Sequence, residues 1–182
     1  MYSRRHFPNQ KPNEHVIMFL RRHWIVPLQI LLAGFFLLFI PVLIYMGVSR
    51  SDMLQGEIYY AIFVLLSSAY YLFIVLFTFT NFIDYYLDVW IVTNMRIINI
   101  EQKGLFSRVI SEKDLDIMQD VTSDISGFLP TLLEYGDVFI QTAAETERFI
   151  FKQVPFAGEV SRRISNLVSE YKKMNKAIEP EV

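Results

Sequence analysis

The sequence contains no cysteine among its 182 residues. Disulfide bonds and thiolate-bound metal sites are therefore excluded, and the redox compartment is left open. Histidine is nearly as scarce, and all three copies precede the first long apolar run: His6, His15 and His23. Because no histidine follows, the rest of the chain holds none that could activate a serine nucleophile. These absences argue against an enzyme.

Charge is missing from two stretches, residues 24–49 and 58–83, each 26 residues long. As helices they would extend about 39 Å, enough to cross a hydrocarbon core of about 30 Å. A cleaved signal peptide fits the first run poorly, because its apolar region spans only about 7–15 residues. A globule of this size cannot bury both runs. We therefore predict two transmembrane helices joined by a short extracytoplasmic turn at residues 50–57.

Small and hydroxyl-bearing residues within the runs indicate where the two helices meet. Small side chains let membrane helices approach closely. The candidate contacts of this kind are Gly34, Ser67 and Ser68. Tyr70 and Tyr71 fall near mid-membrane, so at least one hydroxyl is expected to face the first helix or another subunit, unless lipid tolerates both rings. Pro41 should kink or shorten the first helix, since proline lacks the N–H of a regular turn.

Basic residues are unevenly distributed around the runs. Residues 1–23 carry five of them against one acidic residue: Arg4, Arg5, Lys11, Arg21 and Arg22 against Glu14. The turn at residues 50–57 has one, so the positive-inside rule places both termini in the cytoplasm. Arg21 and Arg22 are predicted at the membrane edge. Aromatic residues suit the interfaces: Trp24, Tyr85, Tyr86 and Trp90 on the cytoplasmic side, and Tyr45, Tyr59 and Tyr60 on the other.

From residue 84 the apolar period changes to two, which is typical of strands. Six strands are predicted: Val89–Thr93, Arg96–Glu101, Leu105–Ser111, Ile117–Ile125, Val138–Thr142 and Arg148–Val154. Gly104 lies in a turn, where it is free to take positive φ. On the fourth strand, alternation puts Val121 on one face, with Ile117 and Ile125, and Met118 on the opposite face.

A closing helix is predicted after Pro155. Its apolar residues recur at helical spacing: Val160, Ile164, Leu167, Tyr171 and Met174. This stripe either covers the open end of a bent sheet or forms a short coiled coil between subunits, although two heptads are marginal alone. The folded domain is predicted to span residues 84–176, with residues 177–182 as a frayed tail.

Several short motifs follow the second run in order. They are Val92-Thr93-Asn94-x-Arg96-Ile97-Ile98, Gly104-Leu105-Phe106, Ile117-x-x-x-Val121, Leu132-Leu133-x-Tyr135-Gly136 and Val138-x-Ile140-x-Thr142-Ala143. This order after two spans resembles the bacterial pleckstrin-homology-like (PH-like) membrane proteins, in which two transmembrane helices precede one PH-like domain. The resemblance implies a membrane α-helical hairpin plus an α+β domain. That domain would be a strongly bent antiparallel seven-stranded barrel capped by a C-terminal helix, with its seventh strand in Lys113–Leu115 or near Asp124. The motif residues expected to have structural roles are Thr93, Asn94, Arg96, Gly104, Tyr135 and Gly136.

Few side chains suggest a ligand. Asp114, Asp116, Asp120 and Asp124 cluster, but an EF-hand would need an oxygen ligand and a glycine where Met118 and Gln119 stand, so we interpret them as a solvated edge. Residues 84–182 carry 16 acidic and 11 basic side chains, which argues against nucleic acid. Arg96 and Lys103 are candidate lipid contacts. No cofactor, metal or small-molecule substrate is predicted.

These observations lead to a hypothesis of a non-catalytic, multi-pass protein of a prokaryotic plasma membrane. Its PH-like domain would bind protein partners at the cytoplasmic face, including copies of itself, with membrane lipid around the hairpin. One alternative is an accessory component of an export or envelope-defence system, such as resistance to antimicrobial peptides. Another is a sensor of anionic lipid head groups that uses Arg21, Arg22, Arg96 and Lys103.

Overall fold

A computed structural model of the chain describes residues 10–49, 56–142 and 149–178. The chain divides into two compact units. The larger unit comprises residues 1–23, 87–103 and 107–182, and the smaller comprises residues 24–86 with 104–106. Some residues named above lie outside the described ranges: Arg4, Arg5, His6, most of the 50–57 turn, Ala143, Arg148 and the end of the tail.

Helices account for nearly all of the smaller unit: α1 (Ile25–Leu37), α2 (Ile40–Val48) and α3 (Glu57–Leu87). The first predicted helix is interrupted at Leu38–Phe39, just before Pro41, which occupies the first turn of α2. Proline is accepted there because a first-turn N–H has no helical partner. The stretch Ile25–Val48 and helix α3 are each long and apolar enough to cross a membrane, judged by length and composition.

The helices of the smaller unit form an antiparallel hairpin with close contacts at both ends. In α1, a Cβ added to Gly34 would lie 2.6 Å from the Thr78 hydroxyl oxygen of α3, so a larger residue would require the Thr78 side chain to move. Toward the turn, the rings of Tyr45 and Phe63 lie 5.8 Å apart. Gly34, which the sequence suggests as a helix–helix contact, lies against Thr78 of α3.

The larger unit contains seven strands in two antiparallel sheets. The four-stranded sheet has the order β1 (Val16–Arg21), β2 (Val89–Thr93), β3 (Arg96–Lys103), β4 (Ser107–Asp114). The three-stranded sheet has the order β5 (Met118–Asp124), β6 (Tyr135–Thr142), β7 (Phe149–Pro155). A short helix α4 (Phe128–Leu133) lies between β5 and β6, and the long helix α5 (Ala157–Ile178) closes the unit.

One hydrophobic core lies between the two sheets and α5. Val92 and Ile97 contribute from the four-stranded sheet, and Val138 and Phe151 from the three-stranded sheet. Helix α5 buries Ala157, Val160, Ile164 and Val168 in the same core, while Met174 at the end of the predicted stripe is exposed. The apolar face of α5 therefore covers its own sheets, as one of the two interpretations of the stripe predicts.

The strands do not close into the single barrel that the resemblance implies. A backbone hydrogen bond from His23 N to Gln153 O, 2.6 Å long, links the edges at β1 and β7. No ladder follows it in the described ranges, and β4 and β5 belong to different sheets. The seventh strand is also not the predicted one: it is β1, which precedes the first helix. The folded domain therefore includes β1, which lies in the predicted N-terminal segment, residues 1–23.

A β-bulge changes the predicted faces of β5. The register shifts between Met118 and Asp120, which places one extra residue in β5 against β6. The bulge turns Met118 inward, where it is fully buried, although strict alternation would expose it beside the aspartates. The aspartates Asp120 and Asp124 remain exposed, as predicted for a solvated edge.

Candidate functional site

Two deeply buried charges of the larger unit meet at the start of β3. Arg96 donates from Nε to Glu14 Oε1 at 2.9 Å and from Nη2 to Glu14 Oε2 at 3.1 Å. The two side chains are 6% and 0% exposed. Nη1 of Arg96 also binds Glu112 on β4. One guanidinium therefore joins the segment before β1 to the far strand of the sheet.

The turn between β2 and β3 binds the same N-terminal segment. The Thr93 hydroxyl lies 2.9 Å from Glu14 Oε1 and accepts the backbone N–H of Arg96 at 3.0 Å. Asn94 accepts the N–H of His15 through Oδ1 at 2.8 Å and donates through Nδ2 to the carbonyl of Asn13 at 3.1 Å. Three motif residues thus bind the segment that precedes β1 and the helical hairpin.

Burial and pairing act in opposite directions on Glu14. Desolvation raises its pKa, but the Arg96 hydrogen bonds, the Lys11 N–H, the Thr93 hydroxyl and the Arg96 charge together lower it below the ordinary value of 4.5. The hydrogen bond to Glu14 in turn raises the pKa of Arg96, against its own desolvation. Both groups are therefore ionised at neutral pH, and their role is structural.

Arg96 is consequently not a surface cation. Its guanidinium is enclosed by two carboxylates inside the sheet, so the predicted lipid contact at Arg96 is replaced by an internal ion pair. Lys103, the other predicted contact, is exposed and lies 3.9 Å from Glu101. Arg21 is also exposed, with its guanidinium 5.3 Å from the centre of the Phe19 ring.

A second ion pair joins the end of β1 to the start of β2, where the chain enters and leaves the helical hairpin. Arg22 binds Asp88, whose side chain is almost fully buried and whose Oδ1 also accepts the N–H of Gln102 at 2.7 Å. Because Arg22 follows β1 and Asp88 precedes β2, the pair joins the two ends of the inserted hairpin. Arg22 was predicted at the membrane edge; its charge is neutralised within the larger unit.

A polar cavity of about 230 Å³ opens beside this pair. Arg22 and Asp88 line it, together with Glu101, Lys152 and the indole of Trp90. Trp90 is only 3% exposed and packs against Phe151 with ring centroids 5.4 Å apart, so it is a core residue and not the predicted membrane-interface anchor. The two cations and two carboxylates balance, so the lining favours no ion of either sign.

The motif residues Tyr135 and Gly136 begin β6 and make close contacts there. Tyr135 stacks on His23 with ring centroids 4.9 Å apart and an interplanar angle of 16°. A Cβ at position 136 would lie 2.3 Å from the Asp124 carbonyl oxygen, so glycine is required for β5 to approach. Gly104 has φ of 70°, as predicted for its turn. Desolvation of buried His23 lowers its pKa.

The predicted mid-membrane tyrosines have different surroundings. The Tyr70 hydroxyl donates to the Leu37 carbonyl at 3.0 Å. This carbonyl cannot receive the usual helical bond from Pro41, four residues later, so Tyr70 supplies a donor. Tyr71 lies beside Tyr70 with ring centroids 6.1 Å apart. Ser67 is half-buried, whereas its neighbour Ser68 is exposed.

Of the predicted interface residues, Trp24, Tyr59 and Tyr86 are exposed and Tyr85 is half-buried. Sequence reasoning missed Glu14 and the strand β1 that follows it. Glu14 is the one acidic residue in an otherwise basic segment, and Val16–Leu20 is an unbroken apolar run. Both were signals of a buried strand and a buried partner for a cation.

No protein family and no curated protein gives a match to this chain. Among solved structures, a DUF1696-family protein with a pleckstrin-homology domain, from Shewanella loihica PV-4, is similar at 12% identity. The similarity covers 44% of this chain and 70% of that one, with a TM-score of 0.37. The fold given above therefore rests on the strands and helices of this chain.

Proposed function

We propose that the chain is a non-catalytic, membrane-anchored binding module of a prokaryotic plasma membrane. Helices α1–α3 form the anchor, and the larger unit, PH-like in type, binds proteins at the cytoplasmic face. Its partners include other copies of the chain. The proposal of a PH-like membrane family rests on the ordered sequence motifs.

The observation that carries the membrane assignment is the exposed apolar surface of the helices. Leu65 and Leu72 on α3 are 70% and 73% exposed, and Phe36 on α1 is 67% exposed. Of the described residues of α3, Ile74 is the buried one. Soluble monomers rarely expose apolar patches beyond a few hundred Å², whereas a bilayer accommodates such a surface.

The pairing of β1 with β2 supports a hairpin that enters and leaves the membrane on one side. Arg21 lies opposite Val89 in the ladder, although α1, α2 and α3 separate them in sequence. Strands of one sheet share a compartment, so the intervening chain crosses the membrane an even number of times. Lys11, Arg21 and Arg22 favour the cytoplasm for that side.

Binding to proteins is favoured by how the larger unit uses its side chains. Its buried charges are paired with each other, Glu14 with Arg96 and Asp88 with Arg22. Its surface, in contrast, exposes apolar residues such as Phe128 on α4, and β4 forms a sheet edge. Exposed edges and apolar surfaces are typical docking sites for protein partners.

The lipid-sensor alternative loses two of its four predicted cations, because Arg96 is enclosed and Arg22 is paired with Asp88. The accessory role in export or envelope defence stays a prediction.

The test is to express the full chain with two different affinity tags in one bacterial cell. We expect both forms to remain in membranes after an alkaline wash, to dissolve in mild detergent, and to co-isolate through either tag. A chain found in the soluble fraction would contradict the anchor. A membrane-bound chain whose two tagged forms separate completely would contradict self-binding.

A further inference from the structure

Strand β4 is an open edge of the four-stranded sheet. It pairs with β3 along its whole length, from Arg96 opposite Asp114 to Lys103 opposite Ser107. None of the described strands occupies its other side. Six of its eight residues are exposed, and Ile110 at its centre is 55% exposed. An edge of this length has unpaired N–H and C=O groups that can bind another strand.

The charges of β4 complement a second copy of the same strand. Arg108, Ile110 and Glu112 follow one another at every second residue, so they lie on one face of the sheet. In an antiparallel pair centred on Ile110, each Arg108 faces Glu112 of the other copy, and the two isoleucines face each other. Directly opposite residues of unlike charge stabilise such a pair.

Other registers are less favourable. A pair centred on Ser111 would place Ile110 opposite Glu112, and a pair centred on Val109 would place it opposite Arg108. Each would put an apolar side chain against a charge and lose the Arg108–Glu112 contact. The Ser111 register would set Arg108 opposite Asp114 instead, but Asp114 already binds Lys11. Glu112 already binds Arg96 through one oxygen, but a carboxylate can accept several hydrogen bonds, so it can bind Arg108 as well.

We propose that β4 pairs antiparallel with β4 of a second copy, about a twofold axis at Ile110, and makes one continuous sheet across two chains. This inference deepens the proposed self-binding function and rests on it. The pairing uses backbone hydrogen bonds for affinity and the Arg108–Glu112 contacts for register. The interface is isologous, so the assembly closes as a dimer and leaves no growing edge at β4.

The absence of cysteine makes a direct test available in the full chain in membranes. In Ile110→Cys, the two sulfurs would face each other, with Cα atoms within the range of about 4.4–6.8 Å that disulfides require. In Ser107→Cys the two positions would be about 20 Å apart along the paired strands. We expect mild oxidation to crosslink Ile110→Cys copies efficiently and Ser107→Cys copies poorly.

A charge reversal tests the register. Arg108→Glu would replace two attractive contacts with repulsive ones and should weaken self-association about ten-fold in detergent. Arg162→Glu is the matched control, because it makes the same substitution on an exposed residue of α5, and it should leave association unchanged.

The outcomes separate this inference from the proposed function. Crosslinking at Ile110→Cys only, with weakening by Arg108→Glu only, supports the β4 pair. Tagged copies that co-isolate but do not crosslink at Ile110→Cys, or crosslink equally at Ser107→Cys, overturn the β4 pair and leave self-binding in place. Copies that neither co-isolate nor crosslink overturn both.

Discussion

At the scale of single residues, the pair of Glu14 and Arg96 governs how the N-terminal segment is held. Glu14→Gln would remove one charge of a buried pair and leave the guanidinium only partly compensated by Glu112. Breaking such a pair costs about 3–5 kcal/mol, and the remaining carboxylate places the expected loss near 3 kcal/mol. Thermal or denaturant unfolding of the detergent-solubilised chain measures it.

Glu170→Gln is the control for this prediction, because Glu170 is an exposed residue of α5 and the chemical change is the same. Its unfolding free energy should stay within about 0.5 kcal/mol of the parent. Equal effects of the two substitutions would show that the Glu14–Arg96 pair is not important for stability.

The pH dependence of stability follows from His23 and Glu14. The folded-state pKa of His23 lies below its ordinary value of 6.5, so the unfolded chain takes up a proton first as the pH falls. The contribution of neutral His23 to stability is therefore fully present above pH 6.5 and is lost as the pH falls below it. Glu14, whose folded pKa lies below 4.5, adds a second decline in more acidic solution.

His23→Phe separates the two declines, because phenylalanine keeps a ring against Tyr135 and does not titrate. We expect its unfolding midpoint to change less than that of the parent between neutral pH and pH 5, while the decline at lower pH persists. Parallel curves for parent and variant would assign the first decline to another group.

Residue identity gave Arg96 a structural role in its motif, but it also offered Arg96 as a lipid contact and placed Trp90 at the membrane interface. An arginine and a tryptophan close to a membrane span are typical of the interface, and both are buried here. The partner of Arg96 lies 82 residues earlier in the chain. Sequence patterns describe local periodicity, so they do not reveal an ion pair between segments that meet only in the folded sheet.

At the scale of elements, Pro41 and Tyr70 form a unit that spans two helices. Tyr70→Phe would leave the Leu37 carbonyl without its donor in an apolar environment, at a cost of about 1 kcal/mol. In a Pro41→Ala background, residue 41 regains an N–H that can bond to Leu37, so the same Tyr70 change should cost less. Unfolding of the four variants in mixed micelles gives the coupling energy.

A coupling energy near zero would mean that Tyr70 does not compensate for the proline. Tyr71→Phe provides the comparison in both backgrounds, because its effect should not depend on residue 41.

The strands illustrate which elements a sequence can reveal. Composition rich in β-formers and apolar alternation predicted the existence of β2, β3, β6 and β7, although burial alternates clearly in β6 and both faces of β2 are largely buried. Strand β1 was missed because its apolar run lacks alternation and stands next to a predicted membrane span. The bulge at Met118 was also invisible, since an inserted residue depends on the partner strand and not on local composition.

At the scale of the whole molecule, the helical hairpin is an insertion between two paired strands. β1 and β2 are neighbours in the sheet, yet α1, α2 and α3 separate them in sequence. This order explains why a boundary drawn at residue 84 divides a single folded unit. It also means that the sheet cannot be completed until both predicted crossings have been made.

The last prediction is that the hairpin can be removed without loss of the folded unit. Arg22 and Asp88 form an ion pair, and Arg21 lies opposite Val89, so the ends left by deleting residues 24–86 are already adjacent. Joining His23 to Leu87 through a two-residue Asn-Gly turn should give a hairpin of ordinary geometry. The product should dissolve in water without detergent and show a cooperative unfolding transition.

Deletion of residues 10–23 together with the hairpin is the matched control. That chain loses β1 and Glu14, leaves Arg96 short of its buried partner, and should therefore aggregate or unfold at much lower temperature. If both shortened chains fold equally well, β1 is dispensable and the domain begins after the second span. If neither folds, the helices contribute to the core of the larger unit as well as to the anchor.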